Sequence, residues 1–236
     1  MKNIFNLLDD STIGCAGGVI KNICENEVGE AVSKAMSSSF GVGNATFRLG
    51  GKRAFVDTVA FGAYRRQVFE KIGGFDSTLI RNQDDEYNFR VSKAGYKILF
   101  DPEIISCYYV RSSYRNLAKQ YYQYGYWKVY VNKKHGVVTT MRQLVPAGLV
   151  SCLTISLMGG LIHEYSLYFA LAVVILYVFA GLFFAARIAS SIKETLLVLM
   201  VFFTLHFSYG TGYLKGILDF ILLRKKPGIR NAVLTR

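Results

Sequence analysis

The stretch Arg81–Arg90, RNQDDEYNFR, decides how this chain is read. Three consecutive acids, Asp84, Asp85 and Glu86, stand where a helix would open, with Asn82 as its candidate N-cap. Acids in a first turn are favoured by the helix dipole, and Glu86 to Arg90 has the i,i+4 spacing of an ion pair. A purely structural reading needs nothing more. The chemical reading is that an acid held at a helix start, just after the glycine turn Gly73-Gly74, reaches into a cleft and deprotonates a hydroxyl nucleophile. The helix is predicted to run through Ala94 and to end at Gly95, with Tyr87, Val91 and Ala94 on one face.

Working outward, Thr12–Ile20 (TIGCAGGVI) reads as a short buried strand with glycines for close backbone approach. Residues 25–52 read as loop with one helix. Ala54–Gly62 (AFVDTVAFG) is a second strand-like run that carries Asp57, and Tyr64–Ile72 is a short helix capped by Gly73-Gly74. Downstream, Tyr96–Phe100 is a strand, Asp101-Pro102 a turn, and Glu103–Val110 a further strand that returns. Ser113 is placed to cap a long helix from Tyr114 to about Lys134. This helix mixes Tyr121, Tyr122, Tyr124, Tyr126, Trp127 and Tyr130 with lysines, a composition suited to a membrane interface or to packing on a domain.

Hydrophobic residues make up 52% of the 236-residue chain, and they are not evenly spread. From Gln143 to Ala186 the only charged residue is Glu164. Leu144–Ile162 and Tyr165–Ala186 each match the roughly 20 residues needed to cross hydrocarbon. Leu196–Leu214 is a weaker third candidate, because it holds His206 and several Ser, Thr and Gly residues. The net charge is +12, and between Glu103 and Glu164 there is no acid but Arg111, Arg115, Lys119, Lys128, Lys133, Lys134 and Arg142. A basic block that runs into an apolar span marks the cytoplasmic side of a membrane protein. The same rule puts the tail (Arg224, Lys225, Lys226, Arg230, Arg236) inside and favours a re-entrant or interfacial third segment. The charge sits at a membrane boundary and no nucleic-acid motif accompanies it, so nucleic acid is not expected as a partner. A transporter is disfavoured, because the spans lack paired intramembrane charges. Cys15, Cys24, Cys107 and Cys152 are scattered, which argues against a zinc site and a disulfide framework. The opening residues carry acids where a signal peptide would be apolar.

Several ordered motifs carry a family resemblance. Arg65-Arg66, then GGFD at 73–76, then the acid cluster, Arg90, and Gly95 to Pro102 (GYKILFDP) resemble the second half of a family 2 glycosyltransferase. FVDTVAFGAYRR, RNQDDE and QYYQYGYWK are most similar to the exopolysaccharide, succinoglycan-type branch, which has C-terminal membrane helices. The resemblance spans about residues 12–146. It implies an α/β fold, the C-terminal half of a GT-A glycosyltransferase domain, followed by two to three transmembrane helices. Residues 1–142 would be the partial acceptor-side domain with an interfacial helix at about 114–134, 143–223 a membrane anchor and 224–236 a basic tail.

Counting back from Arg90, the resemblance places Asp84 on the family's catalytic base, Gln83 on the preceding Glu and Glu86 on the second acid. Asp85 takes the base's place if the register slips by one. Asp57 would line the acceptor site. Gln123 and Trp127 are similar to a Q-x-x-R-W box of processive synthases, but position 126 is Tyr rather than Arg. The implied reaction is inverting transfer of a sugar from a nucleotide-sugar donor to a saccharide acceptor, lipid-linked given the anchor, on the cytoplasmic face of the inner membrane within a glycan-synthesis complex. The full-length family uses a divalent metal, Mg or Mn, held by a D-x-D, and no such motif stands in this chain. The nucleotide-binding half is expected to be missing. The alternative is therefore an inactive fragment or a non-catalytic membrane subunit.

Overall fold

The computed structural model describes residues 7–139 and 141–227. In chain order the elements are β1 (Ile13–Ile23), α1 (Glu27–Met36), α2 (Ser39–Val42), α3 (Thr46–Leu49), β2 (Ala54–Phe55), β3 (Ala63–Tyr64), α4 (Arg66–Ile72) and α5 (Gln83–Lys93). There follow β4 (Lys97–Tyr109), α6 (Tyr114–His135), α7 (Leu144–Gly159), α8 (Tyr165–Ile188) and α9 (Ile192–Gly216). They form two compact units, one of the chain up to Ile23 with Asn44–Tyr109, the other of Cys24–Gly43 with the chain from Val110 onward.

The first unit is the expected α/β part. Its four-stranded sheet has the order β2-β4-β1-β3, with β1 and β4 parallel and the two short strands antiparallel at the edges. Alternation along β1 and β4 builds two apolar faces. Cys15, Ile98 and Phe100 join Val59, Val68, Tyr87 and Val91 on one. Ile13, Ala16, Leu99 and Ile104 make the other. The first face is the one against which α4 and α5 pack.

Two strand expectations are corrected. Asp101-Pro102 does not turn the chain back: Lys97–Tyr109 is one strand, parallel to β1 on both sides of the proline. The pairing passes from Gly17 with Phe100 to Val19 with Ile105, so the residues between bulge out. Gly18 makes the room, since a Cβ there would overlap the carbonyl oxygens of Ile104 and Asp101. Asp101 accepts from the Glu103 N–H at 3.0 Å and pairs with Arg53, which fixes the bulge. Ala54–Gly62 is likewise not one strand. Ala54 and Phe55 pair with β4, the Val56 N–H donates to the Ile98 carbonyl at 3.0 Å, and the chain then leaves as an irregular loop before β3.

The second unit is helical. Its α6 matches the expected helix and starts with Ser113 accepting from the Asn116 N–H at 3.3 Å. It packs along α9 through glycines: a Cβ on Gly125 would overlap the Tyr209 carbonyl oxygen, and one on Gly212 would overlap that of Tyr122. Tyr126, Trp127 and Tyr130 surround Phe220, with centroids 4.7, 6.0 and 5.2 Å from its ring. Replacing Gly125 by Leu forces the two backbones apart, an overpacking cost of about 1–3 kcal/mol or more. The expected result is a lower thermal midpoint in detergent, while Gly148→Leu, where a Cβ meets nothing within 4 Å, leaves it unchanged.

Three helices are long and apolar enough to cross a membrane by length and composition: Met141–Gly159, Tyr165–Ile188 and Ile192–Leu222. The third is an unbroken helix whose last turns, Ile217–Leu222, are π-helical. The polar and small residues that weakened its signal are contact positions. His206 Nδ1 lies 2.8 Å from the Tyr177 hydroxyl of α8. Gly210 meets Pro146 and Val150 of α7, and Thr204 and Thr211 bond to their own helix carbonyls at 2.8 and 2.7 Å. Of the basic tail, Lys225 pairs with Asp219 at 2.9 Å; Arg230 and Arg236, like the first six residues, lie outside the described residues.

Candidate functional site

Helix α5 opens at Asn82 in a left-handed conformation, φ 62°, with no side-chain cap bond. Asn82 thus starts the helix through its backbone rather than through the side-chain cap expected of it. Asn tolerates this region better than most residues because its short amide can bond locally. Gln83 donates to the Leu79 carbonyl at 2.7 Å and so ties the first turn to the preceding loop. Asp84 is exposed, and its Oδ1 accepts from the Asp85 N–H at 3.0 Å. The carboxylate therefore stands at the positive end of the helix and open to solvent.

Glu86 differs from its neighbours. It is fully buried and meets Arg90 in a bidentate pair, Nε to Oε1 at 3.0 Å and Nη2 to Oε2 at 3.0 Å. Arg90 also donates to the carbonyls of Ile72 and Gly74, both at 2.7 Å, and lies over the Tyr87 ring at 4.6 Å. The pair is a brace that fixes α5 to the turn after α4. The same turn explains the GGFD spelling. Gly73 has φ 77° at the end of α4, where a side chain would be strained. Phe75 packs on Tyr87 with centroids 4.6 Å apart, and Asp76 accepts from the Thr78 N–H at 2.9 Å.

Reading from the sequence missed Asn88. Its side chain is fully buried, donates to Thr58 Oγ1 and to the Val59 carbonyl, and accepts from the Tyr64 hydroxyl, each at 2.8 Å. The available signal was a carboxamide between Tyr87 and Val91, flanked by buried positions. Its partners lie about thirty residues upstream and no local pattern could name them. Asp57 is exposed at a bend beside Thr58, so Asn88 ties the loop of Asp57 to the helix of Asp84. Gln123 and Trp127 belong to the second unit. Gln123 is half-buried, and Trp127 is 1% exposed within the aromatic cluster on Phe220.

Burial pushes the Tyr64 hydroxyl well above its ordinary value, with the charges of Cys15 and Asp84 adding to the effect. Burial likewise pushes the Cys15 thiol up to about 12, against a smaller opposing hydrogen bond with Tyr64. A thiol that is neither ionised nor accessible does not react. Iodoacetamide at pH 8 is therefore expected to label exposed Cys107 and to spare Cys15 until denaturant is added, read by peptide mass spectrometry.

Glu86 is held by Arg90, and among the described residues no group of three or more His, Cys, Asp or Glu side chains is placed to hold an ion.

The chain is 28% identical over 213 residues to the dolichyl N-acetyl-alpha-D-glucosaminyl phosphate 3-beta-D-2,3-diacetamido-2,3-dideoxy-beta-D-glucuronosyltransferase of Methanococcus voltae, over 89% of this chain and 62% of the relative. It is 29% identical over 117 residues to the succinoglycan biosynthesis protein ExoA of Rhizobium meliloti (strain 1021), over 50% of this chain and 36% of the relative. No family model matches. The chain thus spans less than two thirds of the length of these curated relatives. Their names bear out the resemblance to glycosyltransferases and to exopolysaccharide synthesis, and the first match covers most of the chain.

Proposed function

We propose that this chain forms the acceptor side of an inverting, family 2 membrane glycosyltransferase. In this reading Asp84 takes the proton from an acceptor hydroxyl as that oxygen attacks the anomeric carbon of a nucleotide sugar. The sugar–phosphate bond breaks, the nucleoside diphosphate leaves and the configuration at the anomeric carbon inverts. Asp85 and Asp57 flank the acceptor.

The observation that carries the reading is the contrast within one helical turn. Glu86 is buried in a brace with Arg90, while Asp84, two residues earlier, is presented open at the helix start. A general base needs this combination of an accessible carboxylate and a rigid support. The relatives' names add lipid-linked and exopolysaccharide chemistry, and the apolar helices suit an acceptor carried on a lipid. The basic block before the first apolar helix favours a cytoplasmic face of the inner membrane, with a glycan-synthesis complex as the setting.

The test uses membranes carrying the full-length gene product and a panel of radiolabelled nucleotide sugars. Label should move into the lipid-extractable fraction and should cease to do so with Asp84→Asn. Transfer at the wild-type rate by Asp84→Asn overturns the base assignment. No transfer by the wild type with any donor favours the non-catalytic reading instead.

A further inference from the structure

We propose that Asn88 is a positioning residue, with Tyr64 as its partner: the carboxamide locks the loop of Asp57 onto α5 one turn below Asp84 and so sets where that carboxylate stands. The inference rests on the assignment of Asp84 as the base and deepens it.

Three observations carry it. The first is complete satisfaction. Both N–H groups of the carboxamide are donated, to Thr58 Oγ1 and the Val59 carbonyl, and its oxygen accepts from Tyr64. A fully satisfied buried network holds one arrangement where an apolar contact would allow several. The second is location. Asn88 is fully buried and lies one helical turn from Asp84, beside the apolar cluster of Cys15, Val59, Val68, Tyr87, Val91, Ile98 and Phe100. An apolar arrangement in which the partners were replaced as well would pack in such surroundings at little net cost, so stability alone does not call for a buried polar network. The third is what the network joins. Its far ends are Thr58, next to Asp57, and Tyr64 of β3, whose hydroxyl feels the Asp84 charge and touches the Cys15 thiol of β1.

The network also meets strained backbone. Phe61, in the tethered loop, has φ 52°, and Asn82, at the start of α5, has φ 62°. Left-handed residues other than glycine persist only where their surroundings hold them. The Asn88 bonds to Thr58 and Val59 fasten the loop two residues before Phe61 to α5. A base must come within about 2.6–3.2 Å of the proton it takes. A displacement of about 1 Å can cost about a hundredfold in rate.

The experiment compares Tyr64→Phe, Asn88→Leu and Asp84→Asn in the full-length enzyme in membranes, with the radiolabelled nucleotide sugar that the wild type accepts. Tyr64→Phe should lower kcat about tenfold or more, with the donor KM within about twofold of wild type and the thermal midpoint within a few degrees; Asn88→Leu, which also strips Thr58 and the Val59 carbonyl of their amide partner, should lose as much kcat and melt lower. A kcat within about twofold of wild type in both variants overturns the proposal. So does a loss in Tyr64→Phe in which kcat and donor KM worsen together with stability, as a merely structural role requires. If Asn88→Leu does not fold, Tyr64→Phe decides, since it removes a single oxygen. Wild-type turnover in Asp84→Asn would instead overturn the base assignment. An inactive Asp84→Asn beside unaffected Tyr64→Phe and Asn88→Leu overturns the positioning role alone.

Discussion

Asp84→Asn in the full-length enzyme should lower sugar transfer by about 10²–10⁴-fold, the range in which a general base contributes, while leaving the protein's thermal midpoint within a few degrees. The amide has the shape of the carboxylate and keeps its oxygen for the Asp85 N–H, so the local backbone bond survives. Asp84 is also exposed, so losing its charge at the helix start costs only about 0.3–1 kcal/mol. The predicted effect is thus chemical without being structural, and the two are separable by measuring kcat and melting together. Asp85→Asn is the necessary companion. If Asp84 is the base, Asp85→Asn keeps most of the rate. If the large loss falls on Asp85 instead, the register has slipped by one and the base is its neighbour.

Arg90→Met should destabilise the α/β unit by about 3–5 kcal/mol, the cost of removing one partner from a buried ion pair. The substitution takes away the guanidinium that faces the fully buried Glu86 carboxylate, and with it the bonds to the Ile72 and Gly74 carbonyls. Methionine refills much of the volume, so the loss is electrostatic rather than a cavity. Urea or thermal unfolding should show a fall in midpoint of about 10 °C or more. The double substitution Glu86→Leu with Arg90→Met should recover a large part of it, because two apolar groups of similar shape replace a buried pair at little net cost. A single substitution that melts like wild type would mean that Glu86 is not held by this brace. The two experiments pull apart acids that stand two residues from each other: one should govern rate and the other stability.

How legible the molecule was depends on the range of the interactions involved. Local rules located β1, the α4 and α5 helices with their glycine stops, the Ser113-capped helix and the first two apolar helices, since period, caps and length are written within a few residues of each element. The i,i+4 pair of Glu86 and Arg90 was likewise readable from spacing alone. Where the reading failed, a distant partner had decided. Asp101-Pro102 spells a turn, yet the chain runs straight on because β1 accepts both halves in parallel register and Gly18 leaves space for the bulge. Ala54–Gly62 is an apolar, strand-like run, but its middle is taken by Asn88 and lost to any ladder.

For the site, the sequence by itself determined which acids could do chemistry, and that a glycine turn and a helix start would present them. It also determined that the chain carries stretches long and apolar enough for a bilayer. Only the tertiary structure decided which acid is open and which is buried, because Arg90 has to reach the backbone at 72 and 74 before Glu86 is enclosed. It alone joined Asn88 to residues about thirty positions away, and it alone turned the polar marks on the third apolar segment into helix contacts. The physical reason is common to all three. Burial and hydrogen-bond satisfaction are properties of a neighbourhood, and a neighbourhood exists only once segments remote in sequence have packed.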